Sequence, residues 1–67
     1  MSIAKVTEIS ASSEKSFVDA IEQGIARASE TIRGMKSAWV NEQHVIMEDG
    51  AIVEWRVNLK ISFLLDS

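Results

Sequence analysis

A segment near the C-terminal end of the given sequence, residues 53–63, alternates strictly between apolar and polar residues. Every odd position from Val53 to Leu65 is apolar, and every even position from Glu54 to Ser62 is polar. Because successive side chains of a β-strand point to opposite faces of a sheet, this pattern predicts a strand with one buried face. Its thirteen residues would span about 43 Å at about 3.3 Å per residue. That length is large for a 67-residue chain, so we expect an oligomer subunit.

The N-terminal half of the chain shows first the periodicity of a strand and then that of a helix. Ile3 to Ser10 is predicted to be the first strand, and the serines that follow end it, with Ser12 or Ser13 as the candidate helix N-cap. The next apolar residues recur at about 100° per residue, which predicts an amphipathic helix of about twenty residues that ends near Gly34. Members of this apolar stripe are Phe17, Ala20, Ile21, Gly24, Ile25, Ala28, Ile32 and Met35.

Gly24 lies in the middle of the apolar stripe, although glycine is unfavourable inside a helix by about 1 kcal/mol relative to alanine. We interpret it as the point where the helix backbone approaches a strand closely. A ligand that approaches the same backbone is the alternative interpretation.

A β-hairpin is predicted after the helix. Ala38 to Met47 is the second strand, and the dipeptide Asp49-Gly50 between two strand patterns is a strong hairpin signal. The order β-α-β-β predicts an α+β fold in one domain of residues 1–67. The helix would join the first two strands by a right-handed crossover. The third strand would lie between them and antiparallel to both, which gives a three-stranded sheet of order 1-3-2 wrapped on one amphipathic helix.

A two-residue turn fixes the register of this hairpin, because it pairs residues whose numbers sum to 99. Val40 then faces Leu59 on the helix side of the sheet, and Trp39 lies beside Lys60 on the other side. The same register pairs Ala38 with Ile61, Ile46 with Val53, Asn41 with Asn58, and Gln43 with Arg56.

The regular register has one unfavourable consequence. It turns two polar side chains, Glu42 and His44, toward the helix, opposite Val57 and Trp55. Polar side chains are rarely buried without partners. We therefore expect this edge strand either to contain a β-bulge or to curl away from the helix.

The composition of the chain limits the classes of protein to which it can belong. The chain has no cysteine, which excludes disulfides and thiolate metal sites. A domain of this size buries only about 60% of its unfolded surface, so oligomerisation is the expected source of further stability. The net charge of −3 argues against nucleic-acid binding. Neither a signal peptide nor an apolar run of about 20 residues for a membrane span is recognisable, so we expect a cytoplasmic protein.

Few side chains suggest a ligand-binding, metal-binding or catalytic site. Trp39 on the exposed face is either a subunit-interface anchor or a stacking platform for a planar ligand. Lys60 beside it is either a cation–π neighbour or a solvated charge. Glu48 and Asp49 form an acidic tip, which is a solvated turn or, with symmetry-related carboxylates, a hard-cation site. His44 is the only histidine. No phosphate-binding loop or catalytic triad emerges, so we do not expect an enzyme.

The whole chain resembles the dodecins. The resemblance rests on the helix start at residues 12–17 (Ser-Ser-Glu-Lys-Ser-Phe), the run at 25–33 (Ile-Ala-Arg-Ala-Ser-Glu-Thr-Ile-Arg) and the closing strand at 56–63 (Arg-Val-Asn-Leu-Lys-Ile-Ser-Phe). It implies a hollow homododecamer with helices outside and sheets lining the shell. It also implies non-catalytic storage or scavenging of flavins, which flavin-binding dodecins stack in pairs between symmetry-related tryptophans.

The resemblance also suggests ligand residues. Aligned without gaps, Ser37 occupies the position of the usual flavin-stacking Trp, and Arg56 occupies that of the usual Gln. Trp39 lies two residues further on the same strand face, about 7 Å away. The segment 38–43 together with Arg56 resembles the dodecin branch that includes calcium-binding members. The predicted ligand-binding residues are Trp39, Arg56, Ser37 and Lys60. Candidate ligands are a flavin (FMN, FAD or riboflavin) and, alternatively, calcium at Glu48 and Asp49. A purely structural shell is the remaining alternative.

Overall fold

The computed structural model describes residues 3–65, which form one helix and three strands. Strand β3 lies between the other two strands and runs antiparallel to both, so the sheet order is β1-β3-β2. This arrangement confirms the predicted α+β fold. Within the described residues, no helix is both long and apolar enough to cross a membrane. The elements are β1 (Ala4–Ser13), α1 (Phe17–Ser29), β2 (Met35–Glu48) and β3 (Ala51–Leu64).

Helix α1 starts later than the sequence predicts. Its N-cap is Ser16, whose Oγ accepts a hydrogen bond from the backbone N–H of Asp19 at 3.0 Å. The predicted caps, Ser12 and Ser13, are wrong because β1 continues through both residues. Ser13 instead donates a hydrogen bond to the carboxylate of Asp19 at 2.5 Å, and this bond is the main cause of the lowered pKa of Asp19.

The helix is also shorter than predicted, with 13 residues that end at Ser29. The backbone then tightens, because the N–H of Glu30 donates to the carbonyl of Arg27, and the chain turns at Gly34 with φ of 73°. Ile32 and Met35 lie beyond the helix but still pack against the core. The apolar stripe therefore continues past the last helical residue, which explains the overestimate.

The core lies between α1 and the middle of the sheet. Its buried apolar residues are Ala20, Ala28, Val57, Leu59 and Ile61. Helix α1 packs mainly on β1 and β3. The predicted close approach at Gly24 is confirmed, because a Cβ atom placed there would lie 2.9 Å from Cβ of Ala11.

Gly24→Ala is expected to destabilise the protein, although alanine is the better helix former by about 1 kcal/mol. The added methyl group would overlap Ala11 at 2.9 Å, and such overpacking costs about 1–3 kcal/mol. The matched variant is Ala11→Gly combined with Gly24→Ala, which removes the overlapping methyl group. Urea denaturation of the single and double variants should show a favourable coupling between the two sites. An alanine variant more stable than the parent protein would contradict this packing.

The subunit is elongated, with extents of 52 × 19 × 13 Å and a Cα radius of gyration of 13.9 Å. A compact chain of this length would have a radius of gyration of about 11 Å. The 13 residues of α1 span only about 20 Å at about 1.5 Å per residue. One helix therefore cannot cover the sheet, and apolar side chains on β2 such as Val40 and Met47 remain 47% and 64% exposed.

The hairpin register follows the predicted pairing next to the turn and from Ser37 to Val40, and it is shifted between these two segments and again between Met35 and Ser37. Val40 faces Leu59, Trp39 faces Lys60 and Ala38 faces Ile61, as predicted. Between β-bulges at Val53 on β3 and Asn41 on β2, the pairing moves by one residue. The predicted pairs Ile46–Val53, Asn41–Asn58 and Gln43–Arg56 are therefore wrong, and the observed pairs are Ile46–Glu54, Glu42–Asn58, Gln43–Val57 and His44–Arg56.

The bulges resolve the problem that the regular register created. Glu42 and His44 lie opposite Asn58 and Arg56, whose side chains point away from α1, and not opposite Val57 and Trp55. The helix-facing Glu42 and His44 of the regular register do not occur. Of the two expected solutions, a β-bulge or a strand that curls away, the structure has the β-bulge.

Candidate ligand-binding face

The sheet face that turns away from α1 carries the candidate site residues, and we call it the open face. On β3, Val57, Leu59 and Ile61 are buried beneath the helix. Because neighbouring strand residues alternate between faces, the polar residues of β3 lie on the open face. From one end to the other these residues are Ser62, Lys60, Asn58, Arg56 and Glu54.

Trp39 and its neighbours form an aromatic patch on the open face. Trp39 is 54% exposed and lies opposite Lys60, and Val6 of β1 borders the same depression. A tryptophan has one of the largest apolar surfaces of any side chain, so leaving half of it in water is unfavourable. We call Val6, Trp39 and Lys60 the Trp39 patch.

Ser37 lies next to this patch. It faces Ser62 across the strands, and the two hydroxyl oxygens are 2.6 Å apart in a hydrogen bond. The structure therefore brings three of the predicted ligand residues, Ser37, Trp39 and Lys60, to one half of the open face.

Arg56 lies in the other half. Arg56 precedes Lys60 by four residues on β3, which corresponds to about 13 Å along the strand. Its Nε donates a hydrogen bond to Glu54 at 2.5 Å, and this bond is the main cause of the lowered pKa of the Glu54 carboxyl. Within one subunit, Arg56 is thus held by Glu54 and lies away from Trp39.

A ladder of side-chain amides separates the two halves. Asn41 donates to Asn58 Oδ1 at 3.1 Å, and Asn58 donates to Ser10 Oγ at 3.4 Å. The ladder crosses all three strands and fixes the middle of the open face. Asn41 reaches Asn58 although it is the bulged residue, because Asn58 pairs with the next residue, Glu42.

Two polar residues of the open face were not among the predicted site residues. Glu42 and His44 reach this face only because the bulges shift the register. They line a polar cleft together with Ser12, Glu54 and Arg56. The available signal was the polar character of both Glu42 and His44, because it conflicts with a position facing the helix.

The predicted metal candidates lie at the hairpin tip. Asp49 and Gly50 have φ of 51° and 78°, which are the left-handed values of the predicted two-residue turn. Glu48 and Asp49 are exposed. Among residues 3–65, no three acidic or histidine side chains of one subunit are close enough to hold a metal ion together. A cation at the tip would therefore need side chains from neighbouring copies.

Comparison with known proteins supports the family suggested by the sequence. The dodecin family model matches residues 3–66. The dodecin from Streptomyces davaonensis is 35% identical, with 98% of this chain and 97% of that chain covered and a TM-score of 0.92. An arginine-to-alanine variant of the dodecin from Thermus thermophilus is 27% identical, with full coverage of both chains and a TM-score of 0.93.

A third similar structure is a calcium dodecin from Mycobacterium tuberculosis, described as a calcium chelating antigen with a novel calcium-binding site. It is 28% identical, with 96% of this chain and 91% of that chain covered and a TM-score of 0.82. The comparison of this sequence with curated proteins found no match. Since the family model and the structural matches span nearly all of the sequence, the chain belongs to the dodecin family.

Proposed function

We propose that this protein is a non-catalytic small-ligand store that acts as a homododecameric shell. Its ligand is a planar molecule of the flavin class that stacks on the Trp39 patch. The observation that carries this proposal is the 54% exposure of Trp39 on the open face beside Lys60. Ser37 and Arg56 complete the set of proposed ligand residues, with Arg56 supplied by a symmetry-related subunit.

The proposed assembly is supported by the surface that one subunit leaves uncovered. Exposed apolar residues occur on all three strands and on the helix, and an elongated subunit cannot bury them itself. Twelve subunits of charge −3 would carry a formal charge of −36, so close contacts need ion pairs or bound cations. The exposed apolar residues of one subunit include Val6, Val18, Trp39, Val40, Met47, Ile52 and Leu64.

Trp39→Ala is expected to weaken flavin binding while the assembly stays intact. Stacking of a planar base on an aromatic side chain contributes about 1–3 kcal/mol, which corresponds to roughly 5- to 150-fold in affinity. Titration of riboflavin with protein measures the effect, because stacking on tryptophan quenches flavin fluorescence. The matched control is Trp55→Phe, since Trp55 pairs with Ser13 and Val45 within the sheet and is not part of the patch.

Other outcomes of this titration distinguish the alternatives. If Trp39 is only an interface anchor, the alanine variant should dissociate or melt earlier, and the parent protein should not quench riboflavin. Arg56→Gln restores the side chain usual in flavin-binding dodecins. Absence of quenching by both the parent protein and Arg56→Gln would contradict the flavin proposal.

Calcium is the second candidate ligand, and the similarity to a calcium dodecin favours it. In this alternative, Glu48 and Asp49 bind the ion together with carboxylates of neighbouring subunits, because Ca²⁺ takes 6–8 oxygen ligands. Calcium should then raise the melting temperature, EDTA should reverse the increase, and Glu48→Gln should remove it. A melting temperature insensitive to calcium would exclude this site.

A further inference from the structure

Three side chains form a row across the strands of the open face at the Trp39 patch. Lys60 of β3 lies opposite Trp39 of β2 on one side and opposite Glu8 of β1 on the other. Directly opposite residues of antiparallel strands share a sheet face, and their Cβ atoms are about 4.5–5.5 Å apart. Among the described residues, Lys60 is the only charged one that lines the depression beside Trp39. A carboxylate is thus the direct cross-strand neighbour of that cation.

The charges of Glu8 and Lys60 are close to each other but are not locked together. Glu8 is exposed and Lys60 is half-buried. Within residues 3–65, neither side chain belongs to an ion pair. Because opposite charges at this separation still act on each other through water, the carboxylate of Glu8 offsets the field of the Lys60 ammonium group at the patch.

The rest of the open face adds no net positive charge. Arg56 is held by Glu54 at 2.5 Å, so this guanidinium is neutralised wherever a neighbouring subunit presents it. Glu42 also lies on this face and forms no ion pair within the described residues. Each further subunit would add the same groups on a chain of net charge −3. An anionic ligand on this face would therefore meet no cation whose charge is not already offset.

We propose that Glu8 sets the charge selectivity of the Trp39 patch, so that the site takes an uncharged flavin and disfavours a phosphorylated one. This inference rests on the proposed flavin function and specifies its ligand class. Riboflavin and FMN share the ring system that would stack on Trp39. They differ in the phosphate of FMN, which as a monoester carries about −1.5 to −2 charges at pH 7. Glu8 repels that phosphate and weakens the attraction of Lys60 for it, without contacting the ring.

Fluorescence titrations of the assembled protein with riboflavin and with FMN test this selectivity at low salt. We expect the parent protein to bind riboflavin about fivefold more tightly than FMN, since a unit charge about 8 Å from a doubly charged phosphate in water corresponds to about this factor. The difference should shrink when the salt concentration is raised to about 0.5 M, because salt screens charges over this distance.

Variants assign the selectivity to Glu8. Glu8→Gln should tighten FMN binding about fivefold and change riboflavin binding by less than about twofold. Glu22→Gln is the matched control, because it removes the same charge from each subunit but lies on α1, on the other side of the sheet. Glu8→Asp keeps the charge and should keep the preference of the parent protein. The sedimentation coefficient of each variant shows whether the assembly is intact.

Equal affinities of the parent protein for riboflavin and FMN would overturn the proposal. It would also be wrong if Glu8→Gln shifted both affinities equally, or if Glu22→Gln had the same effect as Glu8→Gln, since total charge would then be sufficient. In these cases riboflavin still binds, and the proposed flavin function stands. Failure of that function has a different signature: the parent protein would quench neither flavin, and both proposals would be wrong.

Discussion

Leu59→Ala is expected to unfold a large fraction of the protein. Leu59 is fully buried and lies under α1 at Gly24. Removal of a buried leucine side chain costs about 2–5 kcal/mol, whereas a chain of this size has roughly 3–10 kcal/mol of total stability. Urea denaturation followed by far-UV circular dichroism should show a midpoint far below that of the parent protein. All samples need the same protein concentration, since assembly contributes to stability.

Leu59→Met is the control for this experiment, because it retains the side-chain volume and should cost less than about 1.5 kcal/mol. Comparison of the two variants separates the effect of lost side-chain volume from the effect of any substitution at Leu59. A parent-like midpoint for the alanine variant would show that the contact between helix and sheet contributes little to stability.

Val40→Asp is expected to dissociate the assembly. Val40 lies directly opposite Leu59 on the helix side of the sheet, yet it is 47% exposed because α1 packs mainly on β1 and β3. In an isolated subunit, a surface substitution of this kind changes stability by only about 0.5 kcal/mol. If a neighbouring copy covers this part of β2, an unpaired carboxylate there is costly. Sedimentation velocity should then show loss of the assembled species.

Gln43→Asp is the matched control, because Gln43 lies on the same strand and pairs with the helix-facing Val57. It introduces the same acidic group without removing an apolar side chain. Assembly should survive this change better than Val40→Asp. An assembled Val40→Asp variant would show that this part of β2 is not a subunit contact.

The local patterns in the sequence predicted the topology. The alternation of residues 53–65 and the dipeptide Asp49-Gly50 both act over short distances, and the structure has the strand order that they imply. The helix end was predicted less well, because Ile32 continues the apolar stripe after the helix ends at Ser29. Apolar periodicity reports which residues face the core, and residues beyond a helix end can face it too.

The register shows where pattern-based prediction reached its limit. Trp39 faces Lys60 as predicted, but only because the bulge at Asn41 compensates for the bulge at Val53. Between the bulges, every predicted pair was displaced by one residue. Bulge positions depend on how the whole sheet satisfies its polar groups, so a turn signal alone cannot locate them.

The relative positions of the site residues were predicted less completely than the fold. Ser37 and Trp39 lie together, as two residues on one strand face must, whereas Arg56 is held by Glu54 further along the sheet. A sequence gives the face on which a side chain lies, but not the residues that a neighbouring subunit adds. The roles of these residues therefore stay predictions that ligand titrations test.

Native mass spectrometry of the purified protein tests most directly whether the chain acts as a ligand-storing shell. Twelve chains of 7.4 kDa each give about 89 kDa, and we expect this species with the mass of bound ligand added. Mild collisional activation should release the ligand before the subunits separate. A stable species of 7.4 kDa at micromolar concentration would contradict the shell, because the elongated subunit would then be sufficient alone.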